Sequence, residues 1–351
     1  MSSSKFYHFS ATGLYYSVET VEDAVTALRE GGFIWLNYYK PEKHDLSVLI
    51  DLVGIHPLSV EDCFDEKQVP KIEHFQNNTF ILFNSFCYRG KLLYTDEVNL
   101  FIGGNFLITV SGHNSDDRQP VRNIEEIVTS DNGSAKNGPA YVMHKVLDFL
   151  VDEKYYSFDT MEDELEAAED FLIDNVSKFD PMQLIHLRRN LAMLRKSLYH
   201  EREILVKINR LDCPFIPAKA VIAYRDIYDH LAKFFELTDT YREVETSLME
   251  LYTSLLNNKM TQMSNETNAS VKRLTMITTV FMPLTLLASI GGMSEWTMMT
   301  GGESNWRTAY IFFIVGMIII GGVNYFIIKG LEKGIFSRKK TKPEEKEVAA
   351  V

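Results

Sequence analysis

Cysteine is scarce in this sequence. Cys63, Cys87 and Cys213 are spread over 351 residues in no paired-ligand spacing, which argues against a disulfide scaffold and a structural zinc site. Basic charge is also short: 36 Lys and Arg against 48 Asp and Glu leave a net charge of −12. That balance speaks against a nucleic-acid partner and suits a protein that attracts cations. Ten prolines and 19 glycines exclude collagenous and low-complexity chains, and a 46% hydrophobic content excludes disorder. There is no Gly-x-x-x-x-Gly-Lys loop, no His-Glu-x-x-His and no evident nucleophile motif, so no enzyme is expected. The N-terminus lacks a basic region followed by an apolar run, so no signal peptide is expected.

Two stretches near the C-terminus lack charge altogether. Residues 274–294 and 308–328 are each 21 residues long and contain no Asp, Glu, Lys, Arg or His. At about 1.5 Å per residue each reaches about 31 Å, the thickness of a hydrocarbon core. Burial of both in a soluble core is the competing reading, but two such windows only 13 residues apart are hard to bury otherwise. Lys272 and Arg273 precede the first, and Lys329, Lys333, Arg338, Lys339, Lys340 and Lys342 follow the second. The loop 295–307 holds Arg307 against Glu295 and Glu303. Basic flanks stay inside, which predicts a multi-pass protein of the cell (inner) membrane. Both termini and the tail 329–351 are then cytoplasmic, and the loop is external.

The preceding residues form the cytoplasmic body. Residues 33–39, 79–86, 97–102 and 105–110 are short runs rich in β-branched and aromatic side chains, hence strands, with Gly103-Gly104 as a hairpin turn between the last two. Helical patterns cover 21–29, 45–53 and 57–64, the last with Pro57 in its first turn. An α/β domain over 1–139 follows, ending in a turn-rich linker. Residues 140–235 read as a helical region. A long helix from Ala140 to Lys178, acidic from Glu162 to Asp174, and a basic one from Pro181 to about Asn209 are expected to pair through exposed charges worth only about 0–1 kcal/mol each.

A further helix is predicted over 236–293. Leu237, Tyr241, Val244, Leu248, Leu251 and Leu255 form a coiled-coil-like seam. A second stripe at the same spacing is wholly polar: Glu236, Thr240, Glu243, Ser247, Glu250, Ser254, Asn257, Thr261, Ser264 and Asn268. Within and just before the span it continues as Val271, Thr275, Thr278, Met282, Thr285, Ser289 and Gly292. Hydroxyls along one line of a membrane helix mark either helix packing or a watered path. Two spans cannot enclose a conduit, so a pore requires a ring of copies. The first span would end at the outer mouth, where unpaired carbonyls and the negative end of the helix dipole face out. Gly291-Gly292 is the matching helix stop. Such oxygen-rich chemistry suits a hydrated divalent ion, because Mg2+ sheds water reluctantly.

Residues 278–294, Thr-Thr-Val-Phe-Met-Pro-Leu-Thr-Leu-Leu-Ala-Ser-Ile-Gly-Gly-Met-Ser, resemble the first membrane helix of the CorA family of magnesium transporters. So do Pro57-Leu-Ser-Val-Glu-Asp62, Val69-Pro-Lys-Ile-Glu73, Tyr224-Arg-Asp-Ile-Tyr-Asp-His230 and the overall layout. The resemblance implies a funnel-shaped homopentamer: an α/β cytoplasmic domain, long helices and a two-helix C-terminal transmembrane hairpin. It implies conduction of Mg2+, with Co2+ or Ni2+, into the cytoplasm. It places the selectivity filter at Gly292, Met293 and Ser294, where the family has Gly-Met-Asn. It gives Val271, Leu274 and Met282 as the constriction and Asn268 as an inner polar ring. It maps a regulatory Mg2+ site between subunits onto Asp62 and Asp226, with Glu61 adjacent and Asp148 in a second site. Ser in place of Asn motivates a Zn2+, Co2+ or Ni2+ carrier as the alternative, and a non-conducting membrane-anchored Mg2+ sensor as another. Partners are other copies of the chain, divalent ions and lipid.

Overall fold

The computed structural model describes residues 4–12, 14–65, 68–112, 119–121, 137–293, 298–299, 301 and 304–338, with side chains to 330. It divides into two units, Met1–Leu255 and Leu256–Val351.

The first unit is built on a seven-stranded sheet. Its strands are β1 (Lys5–Phe9), β2 (Tyr15–Val18), β3 (Phe33–Tyr39), β4 (Lys71–His74), β5 (Thr79–Arg89), β6 (Leu92–Ile102) and β7 (Phe106–Ser111). They lie in the order β2-β1-β3-β7-β6-β5-β4, and only β3 and β7 are parallel. Helices α1 (Val21–Ala27), α2 (Lys43–Val53) and α3 (Pro57–Asp62) cover one face. There Ile34, Leu36, Phe80 and Leu82 meet Leu46, Leu49 and Val60. The alternate side chains of the same strands, Trp35, Ile81 and Phe83, point to the other face. They pack on residues of α4 (Pro139–Asn175), α5 (Met182–Asn209) and α6 (Ala218–Gly291) such as Val146, Leu150, Leu198 and Leu231.

All four expected strands are present, and two are longer. β5 and β6 extend to a turn at Gly90-Lys91, whose φ values of 56° and 70° are those of a tight two-residue hairpin. Gly103 serves a different need: a Cβ there would lie 2.3 Å from the Phe106 ring. The short strands β1, β2 and β4 were not anticipated. The three early helices and the two following ones fall where the periodicity put them. α6 begins at Ala218 rather than near Glu236, because Val221, Tyr224, Ile227 and Leu231 already continue its buried line. That line then runs through Phe234, Thr238, Tyr241, Glu245 and Leu248, so Val244 of the expected seam is exposed.

Charge pairing also departs from expectation. Arg188 and Arg195 of basic α5 pair with Glu245 and Asp239 of α6, at 3.0 and 2.7 Å, not with the acidic run of α4. The link between α4 and α5 has the opposite polarity and is wholly buried: Lys154 with Glu201, 3.3 Å apart. Both serve the sheet. β4 pairs with β5 only over residues 79–82, which leaves the edge of β5 uncovered further on. There the Asn84 N–H donates to Glu201 Oε1 at 3.1 Å, and its carbonyl accepts from Lys154 Nζ. One ion pair thus does for Asn84 what a neighbouring strand would do. Burial pushes the Lys154 ammonium down and the Glu201 carboxyl up, each opposed by the other's charge.

The second unit contains the end of α6 and α7 (Trp306–Arg338). Ala218–Gly291 and Trp306–Gly330 each hold a segment long and apolar enough to cross a membrane. No described side chain from 256 to 330 is buried.

Candidate functional site

The two faces of the first span are chemically distinct. Met276, Val280, Pro283, Leu284, Leu287 and Gly291 are its half-covered positions. This side meets α7: Leu284 side-chain atoms lie 3.5 Å from a Cβ placed on Gly321, and a Cβ on Gly291 would lie 2.8 Å from the Phe313 ring. At about 100° per residue, the stripe centres about 180° away from that face. Asn268, Val271, Leu274, Thr275, Thr278, Met282, Thr285, Ser289 and Gly292 are all exposed. So are the upstream members from Glu236 to Ser264.

Each hydroxyl of the stripe is fixed by its own helix. Thr275, Thr278, Thr285 and Ser289 donate to the carbonyls of Val271, Leu274, Phe281 and Thr285, each at 2.9 Å. Their protons are thereby spent, and the oxygen lone pairs left over can only accept. Waters around a cation present their protons outward, so an acceptor-only surface matches a hydrated cation. At the helix end, Gly292 N–H donates to Ala288 O and Met293 N–H to Ile290 O, both at 3.1 Å. Ser294, the third expected filter residue, lies outside the described residues, as do Glu295 and Glu303.

The carboxylates singled out from the sequence separate into two places. Asp62 ends α3 and is engaged within its own chain: Lys71 Nζ lies 2.7 Å from Oδ2, and Gln68 Nε2 donates to its carbonyl at 2.8 Å. Burial alone would lower Lys71, but the Asp62 and Glu73 carboxylates together outweigh it and hold that ammonium above its usual pKa. Glu61 is the exposed residue beside it.

Asp148 and Asp226, in contrast, come together. With His230 they place three ligand atoms within 4.8 Å of one another, between α4 and α6. His230 was not singled out as a ligand. Its spacing of four residues from Asp226 puts both on one helix face and is the signal that finds it. Asp152, one turn beyond Asp148, is pushed up by burial and then by the Asp148 charge. His144, one turn before it, is pushed down chiefly by burial, with Asp148 opposing. A local excess of negative charge is what a bound cation would relieve. Two carboxylates and an imidazole fit a divalent ion that keeps several waters.

Comparison with known proteins bears on the fold and the family. The family described as CorA-like Mg2+ transporter protein matches residues 30–330. The cobalt/magnesium transport protein CorA of Thermotoga maritima is 31% identical over 297 residues, 83% of this chain and 81% of that protein. A protein of the same description from Methanocaldococcus jannaschii is 24% identical, over 82% of this chain and 88% of its own. The complete structure of the CorA magnesium transporter from M. jannaschii superposes with a TM-score of 0.67 at 22% identity, covering 92% of this chain and 96% of that one.

Proposed function

The chain belongs to the CorA-like Mg2+ transporter family, and on that premise we propose that it forms a homopentameric, cytoplasm-gated channel for Mg2+, with Co2+ or Ni2+ as further cargo. The observation that carries this reading is the stripe of Thr275, Thr278, Thr285 and Ser289 set opposite the face that packs on α7. A ring with α7 outside turns that stripe toward its axis. The hydroxyl oxygens accept hydrogen bonds from the waters of the ion, so Mg2+ passes without losing its inner shell. Val271, Leu274 and Met282 give a constriction that closes by dewetting, and the backbone at Gly292 and Met293, with Ser294, forms the outer filter.

Gating rests on the cytoplasmic cluster. Mg2+ held by Asp148, Asp226 and His230, completed by Asp62 and Glu61 of a neighbouring copy once Lys71 releases Asp62, draws the ring shut. At low internal Mg2+ the ion leaves, and carboxylate repulsion loosens the assembly toward the open population. The His230 imidazole raises affinity for Co2+, Ni2+ or Zn2+ relative to an all-oxygen site, which favours a Zn2+/Co2+/Ni2+ carrier as the second reading. Orientation follows the basic flanks, with both termini in the cytoplasm.

Flux into proteoliposomes tests the proposal. Mg2+ entry blocked by an inert hexammine mimic of the hydrated ion is the expected result. Zn2+ entry without Mg2+ entry would establish the carrier instead. No divalent flux with Mg2+ binding intact would leave a sensor.

A further inference from the structure

One surface of the first unit runs against the charge of the whole chain. A concavity of about 370 Å³ between α5 and α6 is lined by Ala192, Arg195, Lys196, Tyr199, His200 and Arg242. Arg195 Nε donates to Asp239 Oδ1 at 2.7 Å, and its guanidinium lies 5.0 Å from the centre of the Phe235 ring. Arg242 Nη1 donates to the same oxygen at 3.2 Å. A single carboxylate oxygen thus anchors two guanidiniums and leaves most of their N–H donors for another acceptor. Lys196 has no ion-pair partner among the described residues. Two of the three cations thus share one carboxylate, in a chain whose net charge is −12.

Cations gathered this way repel one another in the absence of an anion. Two anchored forks and an exposed ammonium are a donor set that recognises phosphate oxygens, and a cluster of three cations suits an anion of more than one negative charge. The donors converge on a concavity instead of lying along a line, which fits a compact anion better than an acidic helix. Tyr199 is exposed at the rim, with His200 edge-on to it at 5.3 Å, and offers a flat face to a base. We propose that this concavity binds an oligophosphate chain, free or carried by a nucleoside. Neither the transported ion nor the number of subunits enters this inference.

Titration calorimetry on the full-length protein in lipid nanodiscs, with ATP and with inorganic tripolyphosphate, tests it. Saturable binding of at least one probe is expected, weakened by about tenfold or more in Lys196→Glu/Arg242→Glu. Lys219→Glu/Lys233→Glu changes net charge equally away from the concavity and should leave binding unchanged. Tighter ATP binding that Tyr199→Ala brings down to the tripolyphosphate level identifies a nucleotide; equal binding of the two probes identifies the phosphate chain alone. No saturable binding, or equal weakening by the two double variants, overturns the proposal. So does protection of the concavity by an acidic helix of a neighbouring copy that excludes both probes.

Discussion

Lys154 and Glu201 in the first unit have no exposed side-chain surface, and their charges serve each other and the backbone of Asn84. In the second unit no described side chain is buried, and the hydroxyls of Thr275, Thr278, Thr285 and Ser289 stand on an exposed face of α6. The first unit buries polar groups beside its apolar core, and at the edge of β5 the buried pair satisfies the backbone of Asn84. The second exposes apolar side chains and keeps the hydroxyls of its first span bonded to their own helix, as a hydrocarbon solvent demands. α6 contributes to both. Its buried line ends at Leu248, and its acceptor stripe is what persists beyond. Buried packing is therefore concentrated in the first unit and the proposed conduction path in the second, so substitutions should separate stability from flux.

The largest effect on stability is expected at the buried pair. Lys154→Met leaves Glu201 without a counter-charge and the Asn84 carbonyl without its donor. Breaking one partner of a buried pair costs about 3–5 kcal/mol, which is a fall in Tm on the order of 10 °C. Lys154→Met/Glu201→Leu removes both charges but still orphans the Asn84 N–H and carbonyl, so it should recover only part of the loss. Full recovery in thermal unfolding would show that the pair does not substitute for a strand.

An intermediate effect is expected at the cluster between α4 and α6. Asp226→Asn should weaken Mg2+ protection of the full-length protein against proteolysis by about tenfold, equivalent to about 1.4 kcal/mol, and raise flux at millimolar internal Mg2+. Asp148→Asn should act in the same direction. His230→Ala should reduce protection by Co2+ or Ni2+ more than protection by Mg2+, because imidazole favours the later metals. Equal losses for all three ions would remove His230 from the ligand set.

The sequence made the second unit more legible than the first. Charge-free windows and a period near 3.5 residues are one-dimensional signals, and the stripe from Asn268 to Gly292 is exposed as a single face. Asp62 and Asp226 show the limit of that kind of reading. Nothing local indicates that Asp62 is held by Lys71, which becomes its neighbour only when β4 joins the sheet. Asp148 and Asp226 are brought together by packing of α4 on α6, and Lys154 reaches Asn84 across 70 residues. Strands β1, β2 and β4 escaped notice because each is short and lies in the outer part of the sheet, where polar alternation is weak.

The smallest change in stability, and the sharpest test of the comparison, is expected from the hydroxyls of the first span. Thr285 and Thr279 have the same chemistry: each donates to the carbonyl four residues back, at 2.9 and 2.7 Å. Replacing either by Val keeps the shape and the backbone ladder, so the cost should stay near 0.6 kcal/mol or below, the average for such polar contacts in membranes. Their positions differ. Thr285 lies on the stripe, whereas Thr279 lies about a quarter-turn around the helix toward the α7-facing side. Only Thr285→Val therefore removes an acceptor from the proposed water path, once per copy around the ring. Mg2+ flux into proteoliposomes should fall in Thr285→Val and stay unchanged in Thr279→Val. An equal fall in both would mean that hydroxyls support the helix wherever they stand, and the stripe would lose its claim to be a pore.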